Sequence, residues 1–231
     1  MGELLPRVRK LALLAKGYDI GFNIDAEEAD RLELSLDLLE SLALDTELAE
    51  WNGLGFVVQG YGKRCPFVID WIVDLARRSK RRIMIRLVKG AYWDAEIKRA
   101  QVDGLTDFPV YTRKVHTDVA YTACARKLLA SPDAVFSQFA THNAQTLATI
   151  YQLAGPDFEV GSYEFQCLHG MGEPSTSRWL ARDGSTAPAG STRQWACTRR
   201  CWPIWCAVYW KTARTRPSSI ALPIRPCQSM T

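Results

Sequence analysis

No stretch of this chain is apolar enough to cross a membrane: no run of about 18 apolar residues occurs among its 231 residues. Met1 to Lys16 mixes Glu3, Arg7, Arg9 and Lys10 among its leucines, so it lacks the order of regions of a secretory leader. The seven cysteines show no paired spacing, which argues against a disulfide framework and for a reducing compartment. No glycine-rich dinucleotide turn follows any candidate strand, which argues against a Rossmann domain. P-loop, G-x-S-x-G and H-E-x-x-H patterns are missing as well. His142, His169 and Cys167 do not have the spacing of a zinc site. What remains is 47% hydrophobic and 23% charged, the balance of a globular protein of one large domain or two small ones.

The net charge of +4 conceals two compositions. Residues 175–231 carry Lys211 and eight arginines against one acid, Asp183, for a net of +8. Residues 1–174 therefore carry −4. The same tail holds five of the eight tryptophans, four of the seven cysteines and five of the eleven prolines. A boundary near Pro174 is expected.

Before that boundary two kinds of element alternate. Leu4, Leu5, Val8, Leu11 and Leu14 recur at helical steps, predicting a helix over Met1–Lys16. A short strand is expected over Asp19–Asp25 and a helix over Ala26–Ala43, with acids in its first turn. Gly55–Gln59 reads as a strand and Cys65–Lys80 as a helix with Pro66 in its first turn. Arg82–Val88 reads as a strand, Trp93–Val102 and Lys114–Ser131 as helices. Val135–Ala140, Gln145–Ala154 and Tyr163–Leu168 follow as strand, helix and strand. About five βα units of roughly 30 residues predict an α/β fold with a parallel sheet, either barrel or open doubly wound.

The expected strands end in polar residues: Asp25, Gln59, Arg86 with Lys89, Thr141-His142-Asn143, and Gln166 with His169. In a parallel barrel the carboxyl ends of the strands line the active site. Asp25 either caps the next helix or presents a carboxylate to a cationic ligand. Arg86-Leu87-Val88-Lys89-Gly90-Ala91-Tyr92-Trp93 sets two cations, a glycine and two aromatics at one strand end. This stretch is either a solvated surface end or a site for phosphate and a flat ring. His142 alone reads more readily as a structural hydrogen-bonding group than as a catalyst.

With these residues a family likeness becomes specific. Residues 17–174 resemble the proline dehydrogenase domain of bacterial bifunctional proline utilisation proteins. The likeness is carried by Asn23 to Leu32, Phe56 to Gln59, Lys63-Arg64-Cys65-Pro66 and Arg86 to Trp93. It continues in Pro109 to Lys114, Ala140 to Asn143 and Glu164 to Pro174. The resemblance implies a partial (βα)₈ TIM-like barrel, strands three to seven of the family's eight, that binds FAD. It implies oxidation of L-proline to Δ1-pyrroline-5-carboxylate, with hydride passing from proline C5 to flavin N5 and electrons then to quinone. It also implies cytoplasmic placement, with peripheral contact at the inner membrane face. By the same likeness Gln59, Arg86, Lys89, Gly90, Ala91, Trp93, Thr112, Thr141, His142, Asn143, Gln166 and Leu168 surround FAD. Asp25, Tyr92 and Leu168 line the proline pocket.

Beyond Pro174 the likeness stops. The family's eighth strand and arginine-bearing helix are not recognisable, and Arg199-Arg200 has no leucine-rich helix around it. Trp and Cys codons shifted by one base become Leu, Val or Met codons, and suitable codons for 197–211 then spell the family helix. Residues 175–231 are therefore expected to be out-of-frame sequence without regular structure. The chain is also expected to lack the first barrel strands, and so to bind FAD weakly or not at all and to leave proline unoxidised. The alternative is a non-enzymatic fragment whose basic tail binds nucleic acid. That reading is weakened by Pro188, Pro203, Pro217, Pro223 and Pro226.

Overall fold

The computed structural model describes residues 2–156 and 161–166. Helix α1 (Leu4–Gly17) leads into β1 (Phe22–Ile24), followed by α2 (Leu32–Ala43), β2 (Leu54–Gln59) and α3 (Cys65–Arg78). Then come β3 (Ile83–Val88), α4 (Trp93–Val102), α5 (Lys114–Leu129), β4 (Val135–Ala140), α6 (Ala144–Ala154) and β5 (Tyr163–Gln166). The expected elements recur with ends shifted by a few residues, save at one place.

That place is the segment after β1. The helix expected from Ala26 begins only at Leu32, after a 3₁₀ turn at Ala29–Arg31. Asp25 therefore caps no helix; among the described residues its carboxylate accepts only the neighbouring Ala26 N–H, at 3.1 Å. Glu27 and Glu28, which look like helix-start acids, are held by partners distant or local instead. Tyr92 donates its hydroxyl to Glu27 (2.8 Å), and Arg31 pairs with Glu28 (3.3 Å). Tertiary contacts override the helical preference here.

All strands pair in parallel, in the order β1-β2-β3-β4-β5. A doubly wound sheet reverses its strand order at a switch point, whereas barrel strands follow one another in chain order. The unbroken order selects the barrel-type arrangement.

The strand registers divide the sheet into two faces. On one lie Leu54, Phe56 and Val58, then Ile83, Ile85 and Leu87, then Val135 and Phe139, then Tyr163 and Phe165, all buried. Helices α3 and α5 pack on this face, α3 against β2 and α5 against β3 and β4. Their Val68, Ile69, Ile72, Leu75, Cys124, Ala125 and Leu128 complete the core with it. Burying each large aliphatic side chain contributes about 1.5–3 kcal/mol. β3 shows the logic in its alternation: Ile83, Ile85 and Leu87 are buried while Met84, Arg86 and Val88 are only half-buried.

Helix α4 stands apart from this layer and docks on the segment after β1. Buried Glu96 accepts the Ala29 N–H at 2.6 Å, and Arg99 pairs with Asp30 at 2.7 Å. The αβ crossover between β3 and β4 thus covers the carboxyl end of the sheet with one helix and its flank with another.

Candidate functional site

Among the described residues the second face carries no packed helix layer, and its rows follow from register. Asn23, Gly55, Met84 and Phe136 align as a first row. Val57, Arg86, Gln138 and Glu164 form the next, and Ala140 with Gln166 lies beyond it, level with Gln59 and Val88. Five of these positions beyond Asn23 are polar, which is unlike the aliphatic layers that normally fill a barrel interior.

The polar groups form a connected chain. Gln166 accepts the Arg86 Nε–H at 2.8 Å and donates its own Nε2 to Glu164 Oε1 at 2.7 Å. Gln138 donates Nε2 to the same carboxylate oxygen at 2.8 Å. Burial pushes the Glu164 carboxyl above its ordinary value, opposed by the two amide donors and by Arg86. Two buried oxygens on this face, Gln138 Oε1 and Asn23 Oδ1, have no partner among the described residues. The Asn23 side chain lies across Gly55, where a Cβ would meet its Oδ1 at 1.8 Å. Arg86 uses only Nε in this chain of bonds; its two terminal nitrogens make no hydrogen bond among the described residues.

At the carboxyl edge the loops are cross-tied. Gln59 donates Nε2 to the Glu27 carbonyl (2.7 Å) and accepts the Ala91 N–H (3.1 Å), so it joins the loops after β1 and β3. Gly90 has φ +142°, a conformation natural to glycine, and a Cβ there would meet the Tyr61 ring at 2.5 Å. Burial raises the Tyr61 phenol to about 12. Trp93 donates its indole N–H to the Tyr111 carbonyl at 2.8 Å. The stretch before α5 is held to the β2 loop by Tyr111 N–H to the Tyr61 carbonyl (2.8 Å), which brings Thr112 to the same edge. Thr141 donates its N–H to the Gln166 carbonyl at 3.1 Å, and exposed His142 follows it. Asn143 caps α6 by accepting the Thr146 N–H at 2.9 Å.

Lys89 is less open than its position in the sequence implies. Its ammonium pairs with Asp118 at 2.5 Å and lies 6.0 Å from the centre of the Tyr121 ring. Lys114 pairs with the other Asp118 oxygen at 2.6 Å, and the two ammonium donors hold that carboxyl below its ordinary range. Buried Tyr121 donates toward the carbonyls of Leu87 (3.2 Å) and Ala140 (3.4 Å), bridging the ends of β3 and β4.

The parallel sheet thus brings Asp25, Gln59, Arg86, Lys89 to Trp93, Thr112, Thr141 to Asn143 and Gln166 to one edge. Leu168 and residues 175–231 lie outside the described residues. Glu27, Asp118, Tyr121, Gln138 and Glu164 were not among the residues expected from sequence. Glu164 had a readable signal, two residues before Gln166 on one strand face; Gln138 had none, because it meets Arg86 only through the register of β3 with β4. Glu27 and Asp118 had none, because their partners lie 65 and 29 residues away.

A family model for proline dehydrogenase matches residues 2–195. The bifunctional protein PutA of Rhizobium meliloti is 75% identical over 178 residues, 75% of this chain and 14% of that protein. PutA of Escherichia coli is 71% identical over 174 residues, 75% of this chain and 13% of that protein. A solved mutant of PutA from Bradyrhizobium japonicum superposes with a TM-score of 0.76 at 50% identity, covering 80% of this chain and 19% of that one. The chain spans about one seventh of the length of the curated relatives it matches this strongly. On the extent of the family match, and on a sheet whose order and open polar face accord with it, the chain belongs to the proline dehydrogenase family.

Proposed function

We propose that the described strands form the flavin-facing part of an FAD-dependent proline dehydrogenase. The reaction is oxidation of L-proline to Δ1-pyrroline-5-carboxylate, the first step of proline catabolism, with quinone as the final electron acceptor. Cytoplasmic placement with peripheral membrane contact belongs to the same reading. Among the described residues no helix is long and apolar enough to cross a membrane. The observation that carries the proposal is the row Arg86–Gln138–Glu164 with Gln166 beyond it, polar and without a packed helix layer among the described residues, in a chain 75% identical to PutA over 178 residues.

The donor set suits FAD. Arg86 has two terminal nitrogens without hydrogen-bond partners among the described residues, and two buried amide oxygens on this face are likewise unpartnered among them. Gln59 and Gln166 are carboxamides, able both to donate and to accept along the edge of a heterocycle. FAD, when bound, supplies the acceptor for a hydride from proline C5. Arg86 would place positive charge beside the reacting edge of the ring, where it favours the added electron density. Lys89 would reach a phosphate only by exchanging Asp118 for it. Ala91, Trp93, Thr112, Thr141, His142 and Asn143 would complete the cofactor's walls, as the resemblance implies. Asp25, exposed beyond β1, and Tyr92, oriented by Glu27, would face the substrate.

The test is titration of FAD with the purified chain, read by quenching of flavin fluorescence, with proline-dependent dye reduction measured on the same sample. Weak but saturable quenching is expected, without proline-dependent dye reduction by this chain alone. Arg86→Met removes a charge-assisted donor worth about 1.5–3 kcal/mol, so Kd should rise roughly tenfold to a hundredfold. A Kd unmoved by Arg86→Met would overturn the assignment of the site.

A further inference from the structure

We propose that Glu164 is a positioning residue of this site. Its carboxylate sets which end of the Gln166 carboxamide meets Arg86, and thereby turns the terminal edge of the guanidinium toward the open face. The inference deepens the flavin reading and rests on it for the meaning of that orientation, though not for the orientation itself.

A carboxamide has a donor end and an acceptor end of nearly the same shape, so packing alone does not choose between its two orientations. An ionised carboxylate only accepts. Glu164 Oε1 accepts Gln166 Nε2 at 2.7 Å, which leaves Gln166 Oε1 to accept Arg86 Nε–H at 2.8 Å. Were Gln166 reversed, its amide nitrogen would face the Arg86 Nε–H, donor against donor. Arg86 Nε would then lose its acceptor and the guanidinium its anchor.

Gln138 is an independent sign that the carboxylate imposes polarity on its neighbours. It too turns Nε2 toward Glu164 Oε1, at 2.8 Å, although this leaves its own Oε1 buried without a partner. An unmet buried acceptor is unfavourable. The orientation is kept because the acceptor-only group between the two glutamines requires it.

Glu164, Gln138 and Arg86 share one row across β3, β4 and β5, and Gln166 is two residues beyond Glu164 on the same strand face. Glu164 makes no hydrogen bond to Arg86. It acts through Gln166, which distinguishes it from a group that touches cofactor or substrate.

The experiment follows the side-chain Nε–H of Arg86 in the ¹⁵N-labelled full chain by NMR, without flavin, alongside FAD titration. Glu164→Gln is nearly isosteric but can donate as well as accept, so it no longer dictates the Gln166 orientation. Exchange of the Arg86 Nε–H with solvent is expected to quicken at least several-fold, with cooperative melting retained, and FAD affinity to fall about tenfold. The exchanged pair E164Q/Q166E places a carboxylate directly against Arg86 and is expected to restore slow exchange. If Glu164→Gln does not fold, Glu164→Asp against Glu164→Asn makes the same contrast; the aspartate is expected to retain slower exchange than the asparagine. Arg86 exchange unaltered by loss of the carboxylate overturns the proposal, whatever flavin does. A response of Arg86 exchange in a chain that takes up no FAD supports the positioning role and refutes the flavin reading instead.

Discussion

The two faces of the sheet are made from the same strands and obey opposite rules. On the helix-covered face, Phe56, Ile85, Leu87 and Phe139 are at most 1% exposed and share one apolar core with residues of α3 and α5. On the other, Arg86, Gln138, Glu164 and Gln166 bond to one another, with acceptors left over. The first face supplies the free energy of folding. The second spends part of it to hold polar groups where water or a ligand must complete them. A period of two places both functions on each six-residue strand, so a slip of one residue in register would exchange them.

The largest effect that sharpens this comparison is expected on the dry face. Phe139 packs against Tyr163 and Phe165, with ring centres 5.9 and 6.2 Å away. Phe139→Ala should cost about 3–5 kcal/mol, since the surrounding helices close only partly over the cavity. Chemical denaturation measures it. A loss under about 1 kcal/mol would mean that the two faces are not energetically distinct.

Next comes the rim joining the faces. Gly90→Ala would place a Cβ at 2.5 Å from the Tyr61 ring in a backbone conformation of φ +142°. The strained backbone alone costs on the order of 1–3 kcal/mol, and the clash adds to it. Adding Tyr61→Ala should remove the clash and leave the backbone cost. A double-mutant cycle in the melting free energies separates the two, and strict additivity would show that ring and glycine do not interact.

Acid should distinguish the regions by sign. Hydrogen bonds from Arg9 hold the Asp45 carboxyl below its ordinary range, as Lys114 and Lys89 do for Asp118. Such groups contribute stability above their unfolded pKa that is lost as pH falls through the lowered native value. Glu164 is raised, so its contribution is present in acid and is lost as pH rises through its native value. Asp45→Asn should therefore flatten the loss of stability below about pH 5, whereas Glu164→Gln should flatten the fall at higher pH. Denaturation midpoints across pH read both slopes, and equal slopes in both variants would contradict the assignment.

Much of this was legible before any coordinates. Ile83, Ile85 and Leu87 alternate with Met84, Arg86 and Val88 in the sequence itself, which names the strand and its two faces. The polar residues closing each strand marked the carboxyl edge. Whether the sheet was a barrel segment or doubly wound was not legible in the periodicity, because strand order is a long-range property; only the family resemblance pointed to the barrel. The Ala26–Glu28 segment reads as helix in the sequence because its acids imitate a helix start, while their partners lie at Tyr92 and in the local turn. Attention to strand ends also passed over Gln138 and Glu164, which share the row of Arg86 through strand register. The pairing of Lys89 with Asp118 was hidden by 29 residues of separation.

The smallest expected effect on stability is at the residue with the largest expected effect on binding. Arg86→Met removes a half-buried charge whose only hydrogen bond among the described residues is to Gln166. Methionine retains much of the stem that packs on the sheet, so folding stability should change by about 0.5 kcal/mol or less. Gln166 Oε1 would lose its donor, but it lies at a half-buried strand end where water can replace it. Flavin affinity should nonetheless fall by the tenfold or more already set out, so denaturation and flavin titration on one variant should diverge. The matching substitution on the dry face, Leu87→Ala one residue along the same strand, should do the reverse. It should unfold the chain at lower denaturant while leaving the affinity of the folded fraction nearly unchanged. If both variants lose stability and affinity in proportion, the faces are one cooperative unit, and the polar row is packing rather than a site.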